Sequence, residues 1–272
     1  MLFLVATPIG NLLDITFRAI ETLKACDYIL CEDTRHSIRL LHHYDIHKPL
    51  KSYHKFNESS LSTSILEDLH LGKNICLISD AGTPGISDPG TSLVQLCIEN
   101  GLPVTAIPGP CAAIQALSCS GLPTEQFQFF GFLPRKEGKL KDALLSILAY
   151  SGTTICYEAP HRLIETLKLL ENIQPERELV VARELTKKFE EIIRGKPHLL
   201  INRWLNEEPR GECVLIISPA PQKVSEWNDW SPEEHVKWVE DAYSLSRKEA
   251  IKLVAEMRQV PKKNIYNLFH RD

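Results

Sequence analysis

No apolar run in these 272 residues approaches the ~20 that a membrane-crossing helix needs. The apolar start, Met1 to Ala6, has no basic segment before it and is cut short at Pro8-Ile9-Gly10-Asn11. It reads as a first strand rather than a signal peptide, and a cytoplasmic protein that engages no membrane is expected. Close-spaced cysteine pairs are also lacking. The eight cysteines (26, 31, 76, 97, 111, 119, 156 and 213) contain no CxxC. Zinc sites usually need such pairs, so buried thiols in a reducing compartment and no metal are expected. The dinucleotide pattern GxGxxG, the phosphate-loop pattern GxxxxGK[ST] and the nucleophile elbow GxSxG are all missing. Nor is there an excess of positive charge. The net charge of −4 argues against a generally sticky nucleic-acid binder.

What is present begins with the stretch from Ser79 to Gly90, SDAGTPGISDPG, which follows the apolar run Ile75–Ile78. A strand there ends in a loop of about twelve residues, against about two to five for an ordinary turn. Its glycines allow close backbone approach and its prolines fix its shape. Loops at the carboxyl ends of strands in an open α/β sheet form the usual ligand crevice.

Strand-like and helix-like runs alternate through the first 115 residues, which implies a mostly parallel sheet with helices packed on it. Strands are expected at 2–6, 28–31, 75–78 and 104–107, with helices at 16–24, 36–43, 62–71, 91–100 and 111–118. Gly121-Leu122-Pro123 suggests a boundary. Beyond it strands at 127–132, 153–157, 179–182, 190–194 and 214–217, with helices at 140–150 and 161–170, suggest a second α/β unit. Pro219-Ala220-Pro221 suggests a further linker. Capping boxes at Ser231 and Ser246 open helices of a different kind, ending in a basic helix over 262–271. The expected division is 1–119, an α/β domain; 120–221, a second α/β domain; and 222–272, a helical, helix-turn-helix-like RNA-contact domain.

Charge is unevenly spread. Residues 35–55 carry +4, residues 135–141 carry +3 and residues 247–272 carry +4, so the remainder carries −15. An acidic body with three basic segments suits a polyanion held at chosen places, and charge alone equally allows three solvated faces.

Four loops converge if the sheet is as described: 6–11, 32–35, 79–90 and 108–113. They offer a nucleotide-like pocket without a standard phosphate cradle. A cofactor with adenosine but no phosphates, such as S-adenosylmethionine, fits that gap.

The segments VATPIGNLLDIT, CEDTRH, SDAGTPGISDPG, PGPCAAI, GFLPRKEGK, YEAPHRL and ARELTKKFEE occur in that order. Together they resemble the bacterial RsmI family, small-subunit ribosomal RNA ribose methyltransferases within the tetrapyrrole-methylase superfamily. The resemblance covers nearly the whole chain. One departure is Gly85, where a larger aliphatic residue is expected. The resemblance implies two α/β domains with a cofactor cleft between them, and S-adenosyl-L-methionine bound by Pro8, Ser79, Asp80, Ala81, Gly82, Thr83, Asp88, Pro110, Cys111 and Ala112. Tyr157 and Glu184, beside Arg183, would contribute from the second domain. It also implies a homodimer, and methylation of the ribose 2′-hydroxyl of a decoding-region cytidine in small-subunit ribosomal RNA, naked or in the assembled subunit. DNA is not an expected partner.

In-line displacement at an activated methyl group needs mainly positioning. A 2′-hydroxyl is a poor nucleophile and benefits from a base. Glu32, Asp33, Glu158 and His161 are the candidates, with Glu184 a further one. Arg35, Arg135, Lys136 and Arg162 are the expected RNA contacts. Three other readings stay open: a tetrapyrrole methylase with the same cofactor, a magnesium-dependent phosphotransfer enzyme using Glu32, Asp33, Asp80 and Asp88, and a non-catalytic RNA-binding protein.

Overall fold

The structure is a computed structural model that describes residues 1–205, 209–220 and 230–269. It divides into two compact units. Unit 1 comprises residues 1–115 and 185–188, and unit 2 comprises residues 116–184 and 189–272.

Unit 1 alternates strands and helices: β1 (Leu2–Val5), a single 3-10 turn (Leu12–Asp14), α1 (Phe17–Ala25), β2 (Tyr28–Cys31), α2 (Thr34–His43), β3 (Leu50–Ser52), α3 (Glu58–His70), β4 (Ile75–Leu77), α4 (Thr91–Glu99) and β5 (Val104–Ile107). The five strands form one parallel sheet in the order β3-β2-β4-β1-β5. Helices cover both faces. Val5, Ile29, Cys31 and Cys76 pack with Ala19 and Leu23 of α1 and Leu41 of α2. The alternate positions Leu2, Leu30, Ile75 and Leu77 pack with Ile65 and Leu69 of α3 and Leu93 and Cys97 of α4. A strand buried on both faces must be apolar throughout, which is why these strands read as continuous hydrophobic runs. The helix α5 (Ala112–Ser120) follows β5 and runs across the division.

Unit 2 contains β6 (Phe127–Phe132), α6 (Glu137–Ala149), β7 (Thr153–Glu158), α7 (Pro160–Ile173), β8 (Leu179–Arg183), β9 (Glu191–Gly195), α8 (Pro197–Arg203), β10 (Cys213–Ile217), α9 (Pro232–Tyr243), α10 (Arg247–Met257) and α11 (Lys262–Tyr266). Its sheet has the order β6-β7-β10-β8-β9, parallel between β6 and β7 and antiparallel elsewhere. The C-terminal helices share the core of this unit. Val236, Val239 and Tyr243 of α9 and Ile251 and Val254 of α10 pack in one cluster with Leu144 and Leu148 of α6 and Leu167 of α7. Ion pairs Lys141–Glu249 and Lys252–Asp142, both 2.6 Å, join α6 to α10.

Several expected boundaries shift. α2 begins at Thr34 because Asp33 caps it, accepting from the Arg35 N–H at 2.8 Å. α3 and α6 each begin a few residues before the apolar periodicity does, and β3 and α8 are additional elements. The expected linker reaches Pro221, and the last expected helix reaches Arg271; both residues lie outside those described. Among the described residues no helix is long and apolar enough to cross a membrane. Six of the cysteines are buried; Cys111 is half-buried and Cys119 exposed.

Candidate functional site

β1 and β2 send their chains on to α1 and α2, on one face of the unit 1 sheet, while β4, which lies between them, continues to α4 on the other. The chain therefore parts in opposite directions on either side of β4. Ligands bind at such a switch point in open parallel sheets.

The glycine loop leaves β4 at that point. Thr7, at the end of β1, and Gly82 exchange both backbone hydrogen bonds, at 2.9 and 3.0 Å. The buried Thr7 hydroxyl donates to the Ser79 carbonyl at 3.1 Å. Thr83 Oγ1 donates to the Pro110 carbonyl at 3.0 Å, which fastens the loop after β5. The Asp33 N–H donates to an Asp80 carboxylate oxygen at 3.3 Å, which fastens the loop after β2. All four expected loops thus meet around Gly82. Its φ of +82° lies in the left-handed region that favours glycine. Gly85, where the resemblance expected a larger aliphatic residue, has φ +81°, so this backbone suits glycine.

The electrostatics of the site are acidic. Burial, with the charges of Glu32 and Asp80, pushes the Asp88 carboxyl up to about 6, and a hydrogen bond from Ser79 only partly offsets this. Asp33 goes the other way. Its hydrogen bonds from the Arg35 side chain and backbone hold it at about 2, and the ion pair to Arg35 spans 2.9 Å. Arg35 is thus engaged on the same loop, largely exposed to solvent. Glu58 of α3 was not expected to take part. Its carboxylate accepts from the Gly90 N–H at 3.2 Å and the Ser92 hydroxyl at 3.1 Å, supplying the cap that Gly90 cannot give to α4. Sequence offers no local signal for it, because the partner is about thirty residues away.

Unit 2 places its candidates at the end of β7. Glu158 has a fully buried carboxylate whose two oxygens accept from the Ala159 N–H and the Thr166 hydroxyl, both at 2.8 Å, and pair with Arg162 at 3.1 Å. Arg162 also donates to the carbonyls of Leu133 and Pro134, at 3.1 and 2.6 Å. His161 is exposed at the first turn of α7. Arg135 and Lys136 are exposed just before α6. The Tyr157 ring meets Phe129 and Phe132 edge-on, with centroids 5.0 and 5.4 Å apart. Glu184 has φ +51°, and its N–H donates to the Glu212 carbonyl at 3.2 Å. In the C-terminal helices Arg247 pairs with Glu240, Lys252 with Asp142, and Arg258 bonds to the Trp230 carbonyl at 2.7 Å. Much of the basic charge counted there is therefore spent within the fold.

Residues 1–198 match the family described as Tetrapyrrole (Corrin/Porphyrin) Methylases. The chain belongs to that family. Within it, the chain is 46% identical to ribosomal RNA small subunit methyltransferase I of Halalkalibacterium halodurans, over 100% of this chain and 95% of that protein. The same-named protein of Bacillus subtilis is also 46% identical, over 99% and 94%. The chain also shares its fold with solved structures. They include a diphthine synthase (TM-score 0.60, 11% identity, 83% of this chain and 92% of that one). A uroporphyrin-III-C-methyltransferase from Thermus thermophilus is similar too (TM-score 0.53, 17% identity, 84% and 96%). At those identities the likeness concerns the fold alone.

The methyl donor of the family is S-adenosyl-L-methionine, and the unit 1 loops fit it. They present small side chains, backbone groups and the carboxylates of Glu32, Asp80 and Asp88, with Arg35 already paired to Asp33. Such a donor set suits a ligand that carries positive charge and no phosphate. Among the described residues, no group of three or more His, Cys, Asp and Glu is arranged to hold a metal ion.

Proposed function

We propose that this protein methylates the ribose 2′-hydroxyl of a decoding-region cytidine in small-subunit ribosomal RNA. The observation that carries the reading is the meeting of four strand-end loops around Gly82, in a chain similar along its full length to ribosomal RNA methyltransferases. S-adenosylmethionine supplies a methyl group already activated on a sulfonium. Pro8, Ser79 to Thr83, Asp88 and Pro110 to Ala112 hold it by backbone contact and acidic charge. The work left to this chain is to align the ribose hydroxyl and to take its proton.

Among the candidate bases, Asp33 is poorly suited, because its ion pair with Arg35 keeps its proton affinity low. Glu158 has its oxygens occupied and lies out of solvent. Glu32 keeps its place among them, and Asp88, expected above as a cofactor contact, is a further candidate. Asp88 titrates at about 6, close to the pH at which a base must work. His161 is accessible and serves equally well as a phosphate contact. The reading carries with it a homodimer and a cytoplasmic location.

The test is transfer of labelled methyl from S-adenosylmethionine to small ribosomal subunits that lack the modification, with the product mapped by nucleotide. Label on a single cytidine ribose is the expected result. Cofactor binding without any label on ribosomal RNA overturns the substrate and makes small tetrapyrroles the next to try.

A further inference from the structure

The strand β6 carries Phe127, Phe129, Phe130 and Phe132 and lies at the edge of the unit 2 sheet, where among the described residues it pairs with β7 alone. Side chains alternate between the faces of a strand, so Phe127 and Phe129 share a face while Phe132 belongs by parity to the other. The register breaks that parity. Phe127 and Phe129 pair with Thr153 and Ile155, but Gly131 pairs with Cys156 and Phe132 with Tyr157. Phe130 is the extra residue of a β-bulge, and the slip turns Phe132 onto the face that holds Phe129 and Tyr157. Gly131 makes the bulge possible at φ +77°, where a side chain is strained.

The consequence is an aromatic ring in an unusual setting. Phe132 rests edge-on against Tyr157 at 5.4 Å between centroids, yet is 63% exposed. Immediately after it come Leu133 and Pro134, whose carbonyls are held by Arg162, and then the exposed Arg135 and Lys136. Glu158 fixes Arg162 from behind at 3.1 Å. The backbone between the exposed ring and the two cations is therefore tied down.

We propose that Phe132 is a stacking platform for an unpaired base of the RNA substrate, with Arg135 and Lys136 meeting the adjoining phosphates. The inference rests on the proposed ribosomal RNA reading and adds to it the surface that receives the strand. A fixed aromatic face beside cations is the combination that holds single-stranded nucleic acid, because every base has a face to stack and every link carries negative charge.

The test compares wild type with Phe132→Ala and Phe132→Tyr, reading cofactor affinity by calorimetry, oligomeric state by light scattering, and KM and kcat with unmodified small subunits. Phe132→Ala raises KM roughly 10- to 100-fold, the scale of one lost base–aromatic stack, while cofactor affinity and oligomeric state stay unchanged. Phe132→Tyr, which keeps the aromatic face, restores KM to within a few-fold. An unchanged KM in Phe132→Ala overturns the inference alone, and so does a change in oligomeric state, which would make the ring an interface between copies. A folded Phe132→Tyr that is as impaired as the alanine variant also overturns it. Wild type that ignores ribosomal RNA overturns the substrate reading and this inference together.

Discussion

The proton on Asp88 stays bound to about pH 6, because burial and the charges of Glu32 and Asp80 oppose ionisation, whereas an ordinary aspartate has lost it above 3.8. The folded protein holds this proton to higher pH than the unfolded chain does. Stability therefore falls as pH rises from about 4 through 6, and stays at its lower level above that. Asp88→Asn removes the repulsion. Its melting temperature should exceed that of wild type at pH 7.5 and match it near pH 3.5, as thermal melts at the two pH values will show. Calorimetry on the same variant should find weaker S-adenosylmethionine binding, because the site loses a negative charge that faces a cationic ligand. Gly90 is constrained differently. Its φ is +129°, and a Cβ there would lie 2.5 Å from Leu77 Cδ2 in the core. Gly90→Ala should cost about 1–3 kcal/mol in denaturant unfolding, from a strained backbone and a displaced leucine.

At the scale of the element, Glu158 and Arg162 behave as a latch on the segment that enters α6. Glu158→Gln leaves Arg162 partly buried beside a neutral partner, and should cost about 3 kcal/mol by denaturant unfolding. Its kcat should change little once the protein is folded. A large fall in kcat at unchanged stability would instead make Glu158 the base. The strands and helices of unit 1 were readable because each apolar run is short and bounded, and the loops around Gly82 because they are too long and too small-sided for turns. What escaped was non-local. β3 has one apolar residue in three and is a strand only because β2 lies beside it. The bulge at Gly131 leaves a pattern of phenylalanines that reads as plain alternation until the register with β7 is known. Arg162 looked like a phosphate contact because its carbonyl partners lie almost thirty residues upstream.

For the molecule as a whole, the last three helices are part of the second unit's core. Arg177 is buried and donates to the carbonyls of Leu148 and Pro219, and the Tyr243 hydroxyl donates to Leu148 O at 3.5 Å. A chain ending at residue 220 would expose the apolar surfaces of Leu144 and Leu148 that α9 and α10 cover. Such a truncation should aggregate or melt broadly rather than persist as a compact methylase, an outcome that size-exclusion chromatography and calorimetry will reveal. The divided make-up of the first unit has a consequence in time. Residues 185–188 complete it, with Thr186 Oγ1 accepting from the Asn11 N–H at 3.0 Å. During synthesis the amino-terminal sheet can assemble early, but its last piece arrives only after β6, α6, β7, α7 and β8 have emerged. The nascent chain must therefore wait, with the loop around Asn11 unfinished, while nearly half of the second unit is being made.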